Sequence, residues 1–344
     1  MVKRKPVASK IDSLQEVADA VQKRFGLGSL TLLPESSEFG AVKHFIDAGN
    51  WGLNRIVSGS SKGCFPEGRL TEVMGKESTG KSLVLSKAIA QNQKAGGICV
   101  LDDTEHAYLK EFGEIVGVNN EELLYSSSEV VEDVFDKMEL LIPLLMKKHP
   151  DIPILWMVDS IAMVSSKAEK EKELDDEGKG YLGAKKAALI HSGVRKIVGL
   201  ISKSRVSLVI TNHIHHKMDV MYGDDEYCPG GDAIPYYASV RLRLRRKEII
   251  RPEAKKTGEE IGIRVEAYTK KNKIVRPFQS CLFDILFDEG IDYTSGCADV
   301  LIKQKLIEST SVGWYKLPDG KKVQGKAQVE EYFKEHQDEL EELM

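Results

Sequence analysis

The chain has 344 residues, with 49 Lys and Arg against 53 Asp and Glu, a net charge of -4 and a pI near 6.1. Taken as a total, that balance gives no electrostatic reason to expect a polyanionic partner. With 42% apolar and 30% charged residues and a mean hydropathy of -0.27, the chain is neither disordered nor membrane-spanning, and fits a soluble globular protein of roughly two domains.

Met1 to Lys10 is basic but lacks the apolar stretch and small-residue cleavage site of a secretory signal. Cys64, Cys99, Cys228, Cys281 and Cys297 are odd in number and contain no CxxC pair, so a reducing cytoplasm is expected. Residues 11–25 set Ile11, Leu14, Val17, Ala18, Val21 and Phe25 on one helical face. Gly26, Gly28 and Pro34 separate this helix from the remainder of the chain. It either packs on its own domain or serves as an arm that docks on a neighbouring copy.

From residue 69 the pattern becomes strand, turn, helix, strand. RLTEVM (69–74), GICVL (97–101), ILWMV (154–158) and VSLVIT (206–211) are apolar strands separated by helical text at 82–93, 130–147 and 184–202. Such alternation predicts an α/β fold with a mostly parallel central sheet and helices on both faces. Ala238–Arg246, Gly262–Tyr268 and Cys281–Phe287 come next with little helix between them, which predicts antiparallel strands extending the sheet. A small C-terminal unit begins near Ser295.

Gly75, Lys76, Glu77, Ser78, Thr79, Gly80, Lys81 and Ser82 spell GKESTGKS, a full match to GxxxxGK[ST] between a predicted strand and a predicted helix. Glycines let backbone N–H groups wrap an anion, and the helix N-terminus adds partial positive charge. This is a nucleoside triphosphate site in which Lys81 reaches the β and γ phosphates and Ser82 holds Mg²⁺. Asp159, directly after ILWMV, is placed to hold the metal's water shell. GICVL runs into Asp102, Asp103, Thr104, Glu105 and His106, and Glu105 is the candidate general base, against the plainer reading of a solvated loop acid.

GRLTEVMGKESTGKS, LDDTEHA, MVDSIAMV, PGGDAIPYYASVRLRLRR and KKNKIVRPF, in this order from about residue 50 to residue 290, resemble the RecA family of DNA recombinases. SSKAEKEKEL, the NH of ITNHIHHKM, and GIDYTSG before GWY resemble its phage-encoded, UvsX-like branch. The resemblance implies a RecA-type P-loop ATPase core at 45–292, an N-terminal helical arm at 1–44 and a small C-terminal α+β domain at 293–344. It implies ATP and Mg²⁺ as cofactors and helical filaments on single-stranded DNA that pair it with homologous duplex. Loading or mediator proteins and a single-strand-binding protein are the further partners it implies. A ring-forming helicase or motor on the same core is the rival reading, and a non-catalytic DNA-binding mediator a third.

Residues 167–183 hold ten charged residues in seventeen, and 214–234 form a second long insertion. Long loops in a compact domain are uncommon unless functional or disordered. The resemblance makes them the two DNA-binding loops, with Lys217 on phosphate, Met218 and Tyr222 against bases, Gly230 and Gly231 close to phosphates, and Arg195 as a further contact. His213 stands where the cellular family has a glutamine that senses the γ-phosphate, and Pro235 where it has lysine. Lys271 and Lys273 match a pair that reaches the neighbour's ATP, and Phe112 and Phe287 match rings flanking adenine. Each has a plainer reading as surface cation, solvated loop or core. A metal cluster of His213, His215, His216 and Cys228 lacks a paired ligand motif. Glu335 to Met344 contains five acids and no Lys or Arg, and is either a frayed solvated helix or a competitor of DNA for basic surface. Residues 241–276 carry thirteen Lys and Arg against five acids, so the near-neutral total hides a stretch of +8 suited to a polyanion.

Overall fold

The structure, a computed structural model, describes residues 7–26, 29–32, 40–61, 63–171, 179–202, 204–216, 225–252 and 259–343. Its contacts divide the chain into two units, Met1–Ala41 and Val42–Met344, each taken by itself. In the first, α1 (Val7–Phe25) closes on Lys23 and Arg24, which favour the negative end of the helix, and on Gly26 at φ +96°. Ile11, Leu14, Val17 and Phe25 of its predicted apolar face are exposed.

In the second unit, β1 (Phe45–Ile46) and β2 (Phe65–Pro66) pair on either side of α2 (Trp51–Ser58). Strands and helices then alternate: β3 (Leu70–Gly75), α3 (Lys81–Lys94), β4 (Ile98–Asp103), α4 (Lys110–Ile115), β5 (Leu123–Ser126), α5 (Val131–Lys148) and β6 (Ile154–Asp159). Next come α6 (Lys167–Lys170), α7 (Lys179–Ile201), β7 (Val206–His213), the short pair β8 (His215–His216) and β9 (Glu226–Tyr227), and α8 (Ala233–Tyr237). The chain continues through β10 (Val240–Ile250), β11 (Gly262–Asn272), β12 (Ser280–Leu286) and β13 (Gly290–Ile291). It ends with α9 (Cys297–Lys303), a small sheet of β14 (Glu308–Ser311), β15 (Trp314–Lys316) and β16 (Lys322–Gln324), α10 (Lys326–Glu335) and α11 (Gln337–Glu342).

The central sheet has the order β13-β12-β11-β10-β3-β7-β6-β4-β5. Strands β3, β4, β6 and β7 are buried along most or all of their length, as strands covered on both faces must be, whereas β11 and β12 alternate between buried and partly exposed. One expectation is corrected: β10 is not antiparallel to the sheet it joins. It runs parallel to β3, Val240 opposite Thr71 and Leu244 opposite Gly75, and the antiparallel pairings begin at β11, with β11, β12 and β13 each running opposite to the strand before it. β7 and β10 flank β3 as parallel strands, and a connection between parallel strands of one sheet needs a long crossover, which residues 214–239 supply.

On one face of the sheet α2, α3 and the C-terminal segment pack together, with Trp51, Ile89, Phe283, Leu301, Phe333 and Leu340 fully buried in one cluster. On the other, α5 and α7 bury Met138, Trp156, Ile190 and Val194. Each such side chain contributes about 1.5–3 kcal/mol by leaving water. Asn50 caps α2 through the Leu53 amide and donates to the carbonyls of Asp292 at 2.8 Å and Ser295 at 3.1 Å, tying residues 293 onward into the same unit. The acidic tail is anchored: Leu340 is buried, and Glu341 and Glu339 accept the hydroxyls of Tyr293 at 3.1 Å and Tyr332 at 2.7 Å. Among the described residues no helix is long and apolar enough to cross a membrane.

Candidate nucleotide and DNA site

The phosphate loop joins the carboxyl end of β3 to the N-terminus of α3. A Cβ on Gly75 would lie 2.8 Å from the Leu244 carbonyl oxygen, and Gly80, at φ +87°, precedes Lys81 as the helix cap. Only glycine meets both demands without strain. Lys81 is 7% exposed, and its Nζ donates to the carbonyls of Gly75 at 3.2 Å and Lys76 at 3.1 Å. Burial draws its pKa below the ordinary value, against the pull of Asp159, Glu105 and Glu77. Asp159 ends β6; burial pushes its pKa up, while hydrogen bonds from Ser82 and Thr211 and the charge of Lys81 oppose this. Ser82 and Asp159 thus present a hydroxyl and a carboxylate to one point, the hard oxygen donors that suit Mg²⁺.

The adjacent β4 delivers Glu105. Asp103 pairs in register with Asp159, and the amides of Thr104 and Glu105 donate to the Asp159 carbonyl at 2.8 and 3.1 Å. From the other side, register pairing of Gly75 with His213 brings β7 against the loop. His213 Nε2 meets Glu105 Oε1 at 2.8 Å. Burial favours the neutral form of Glu105, yet its pKa is held below the ordinary value by Ser160, His213 and Lys81. A cavity of about 580 Å³ opens here, lined by Lys76, Glu77, Met163, His213 and Pro229 among others.

A strand-loop-helix anion cradle, an acid on the next strand but one and a second acid on the strand beyond is the arrangement expected of the family suggested by the motifs. The family model described as the RecA N-terminal domain matches residues 12–292. The chain belongs to the RecA family. It is 34% identical to Protein RecA of Leptospira meyeri over 331 residues, 95% of this chain and 81% of that protein. It is 32% identical to Protein RecA of Heliobacterium modesticaldum over 95% of this chain and 89% of that one, and 32% identical to Protein RecA of Thermus aquaticus over 97% and 93%. It is a RecA recombinase and a DNA-dependent ATPase. These relatives are bacterial, and they lend no support to the phage-like features.

Against this RecA frame the remaining candidates separate. Phe112 is half-buried beside the site, lining a cavity of about 80 Å³ with Ser82, Asp103, Tyr108 and Asp159; Phe287 is 45% exposed and is absent from that lining. Gly230 and Gly231 take φ +97° and +77° and lie against Ile190 and Ala187 of α7, the helix that carries the exposed Arg195. Lys217, Met218 and Tyr222 lie outside the described residues, as do 172–178 of the first loop. The rest of that loop is not structureless: Lys167–Lys170 form a helix with a Ser166–Glu169 capping box, and 179–183 belong to α7. His216 Nδ1 pairs with Asp225 at 2.7 Å, so it and His213 engage separate carboxylates.

Lys271 is level with Arg241 and Glu72, two strands across from β3 and three residues before Gly75. That places its backbone roughly 10 Å along and 10 Å across the sheet from its own phosphate loop. Its Nζ donates to the carbonyls of Pro235 at 2.7 Å and Tyr236 at 2.9 Å, and burial, Lys273 and Arg241 lower its pKa to about 8. Glu72, Asn212 and Thr211 were not legible as site residues. Glu72 is fully buried and joins Arg241 at 2.5 Å to Asn212 at 3.1 Å, while the Thr211 hydroxyl donates to Asp159. All three lie in segments that carry the family resemblance, yet a polar residue inside a buried strand does not by itself signal a contact with the site.

Proposed function

We propose that this chain binds MgATP along residues 75–82, with Ser82 and Asp159 holding the metal, and couples its hydrolysis to a filament on single-stranded DNA that exchanges strands with homologous duplex. Held by Ser82 and Asp159, Mg²⁺ would supply neutralising charge to the phosphates. Lys81 leaves the loop carbonyls for phosphate oxygens, and Phe112 flanks the base together with Phe287. Glu105 takes a proton from the attacking water. The observation that carries the reading is the His213–Glu105 contact at 2.8 Å, because it joins the general base to the strand from which the second DNA loop departs. A γ-phosphate that draws the imidazole away frees a carboxylate oxygen for water and shifts the loop in the same movement.

Lys271 and Lys273, remote from their own phosphate loop, act on the ATP of a neighbouring copy, so hydrolysis requires assembly. The exposed apolar face of α1 is suited to that self-association. Arg195, Gly230 and Gly231 face the DNA with Lys217, Met218 and Tyr222 of the second loop. An arm (1–44), a core (45–292) and a C-terminal segment (293–344) are the functional divisions. A cytoplasmic setting, single-strand-binding and loading proteins as partners, and kinship with the phage-encoded branch belong to this reading; the last rests on sequence features alone. Electron microscopy with single-stranded DNA and a slowly hydrolysed ATP analogue tests it. Extended helical filaments are expected, and closed rings would overturn it in favour of a motor.

A further inference from the structure

Glu105 stands in a turn whose far side is closed by a residue that none of the steps above uses. Asp103 ends β4 and is 3% exposed. Its Oδ2 accepts the Tyr108 amide at 2.9 Å and the Tyr125 hydroxyl at 3.1 Å, and its Oδ1 accepts the Ala107 amide at 3.3 Å. Three donors on one carboxylate enclose residues 104–107, and His106 within them takes φ +54°, a left-handed conformation that side chains seldom adopt. The near side is fastened separately, by the amides of Thr104 and Glu105 on the Asp159 carbonyl and by Thr104 Oγ1 on the Ser160 carbonyl at 2.6 Å.

Tyr125 comes from β5, the last strand of the sheet, and is 51% exposed. Its ring centroid lies 6.1 Å from that of Tyr108, so aromatic packing aims the hydroxyl inward from the sheet edge. Burial and the Asp103 carboxylate raise its pKa, which keeps the hydroxyl a donor.

We propose that Tyr125 and Asp103 are positioning residues for ATP hydrolysis, their hydrogen bond locking the 104–108 turn so that Glu105 faces its water. Donors spread over both oxygens hold a carboxylate in one orientation; without the hydroxyl, Asp103 turns more freely and its two amide bonds slacken. Displacing a reacting group by a fraction of an ångström is enough to slow chemistry without touching substrate binding. The proposal rests on Glu105 as the general base.

Tyr125→Phe removes the hydroxyl and keeps the ring. The measurement is release of labelled phosphate from ATP with single-stranded DNA, followed for hours in slow variants, in four chains: native, Tyr125→Phe, Glu105→Gln and the double variant. The expected result is a kcat lower by about three- to tenfold in Tyr125→Phe, with KM for ATP and the Mg²⁺ requirement unchanged, and no further loss in the double variant beyond Glu105→Gln. An equal loss in both backgrounds, a raised KM or Mg²⁺ requirement, or a native kcat in Tyr125→Phe overturns the proposal. A Glu105→Gln chain with full activity overturns the base assignment itself, and with it the proposal, through a different variant.

Discussion

At Lys271 the chemistry of a single residue depends on where its ammonium is stored. Two backbone carbonyls hold it, while burial and two neighbouring cations bring its pKa down to about 8. A lysine so depressed loses its charge as pH rises through 8, and an uncharged amine cannot stabilise a phosphoryl transition state. DNA-stimulated hydrolysis by the native chain is therefore expected to decline between about pH 7.5 and 9. Lys271→Arg should keep the rate level over that range, because a guanidinium does not titrate there. The pH profile of kcat/KM for ATP, which reports groups of the nucleotide-free protein, checks this for both chains. The resemblance found this residue; its distance from its own phosphate loop did not follow from the sequence, because that depends on which strands are neighbours. The same holds for Glu105 and His213, 108 positions apart and brought to 2.8 Å only by the β4, β6, β7 order.

Among the elements, the parallel strands and the phosphate loop were legible because each is a local pattern: an apolar run, then glycines and a lysine, then helical spacing. Strand β10 was misread because its direction is set by the excursion before it. Helix α10 shows another non-local effect. Glu330 projects toward Arg264, Asp284 and Asp299, and its pKa is raised from 4.5 to about 7, burial outweighing the attraction of Arg264. The folded chain then keeps a proton that the unfolded chain gives up, so this residue adds stability at low pH. That contribution fades as pH climbs from 4.5 to about 7 and is gone above it. Thermal midpoints taken from pH 5 to pH 8 should fall more steeply for the native chain than for Glu330→Gln, whose amide cannot ionise.

For the whole molecule, total charge conceals its distribution: residues 241–276 hold +8, leaving -12 for the remainder. Part of the opposing charge lies in the tail, where the sequence left a choice between a frayed helix and a competitor of DNA. Five acids in ten residues dominate that text, and Leu340, buried in the core with Leu343 packed against the same cluster, carried no local signal. Leu340→Ala should lower unfolding stability by about 2 kcal/mol, near the low end for a buried leucine because α11 is short. Urea unfolding measures it, and a loss below about 0.5 kcal/mol, the level of a surface substitution, would show that the tail is not part of the core.

The cluster that joins Trp51 to Phe333 and Leu340 also orders events during synthesis. Domains fold as units while the chain emerges, N-terminal portion first. Here the α5–α7 face has all its apolar partners once residue 238 is free, whereas the opposite face waits for Phe333 and Leu340. One half of the core can close while later residues are still being made, and the half that backs the phosphate-loop helix closes only once Phe333 and Leu340 have emerged. A nascent chain stalled before residue 333 would therefore present α3 without its full support, a state for chaperones to hold.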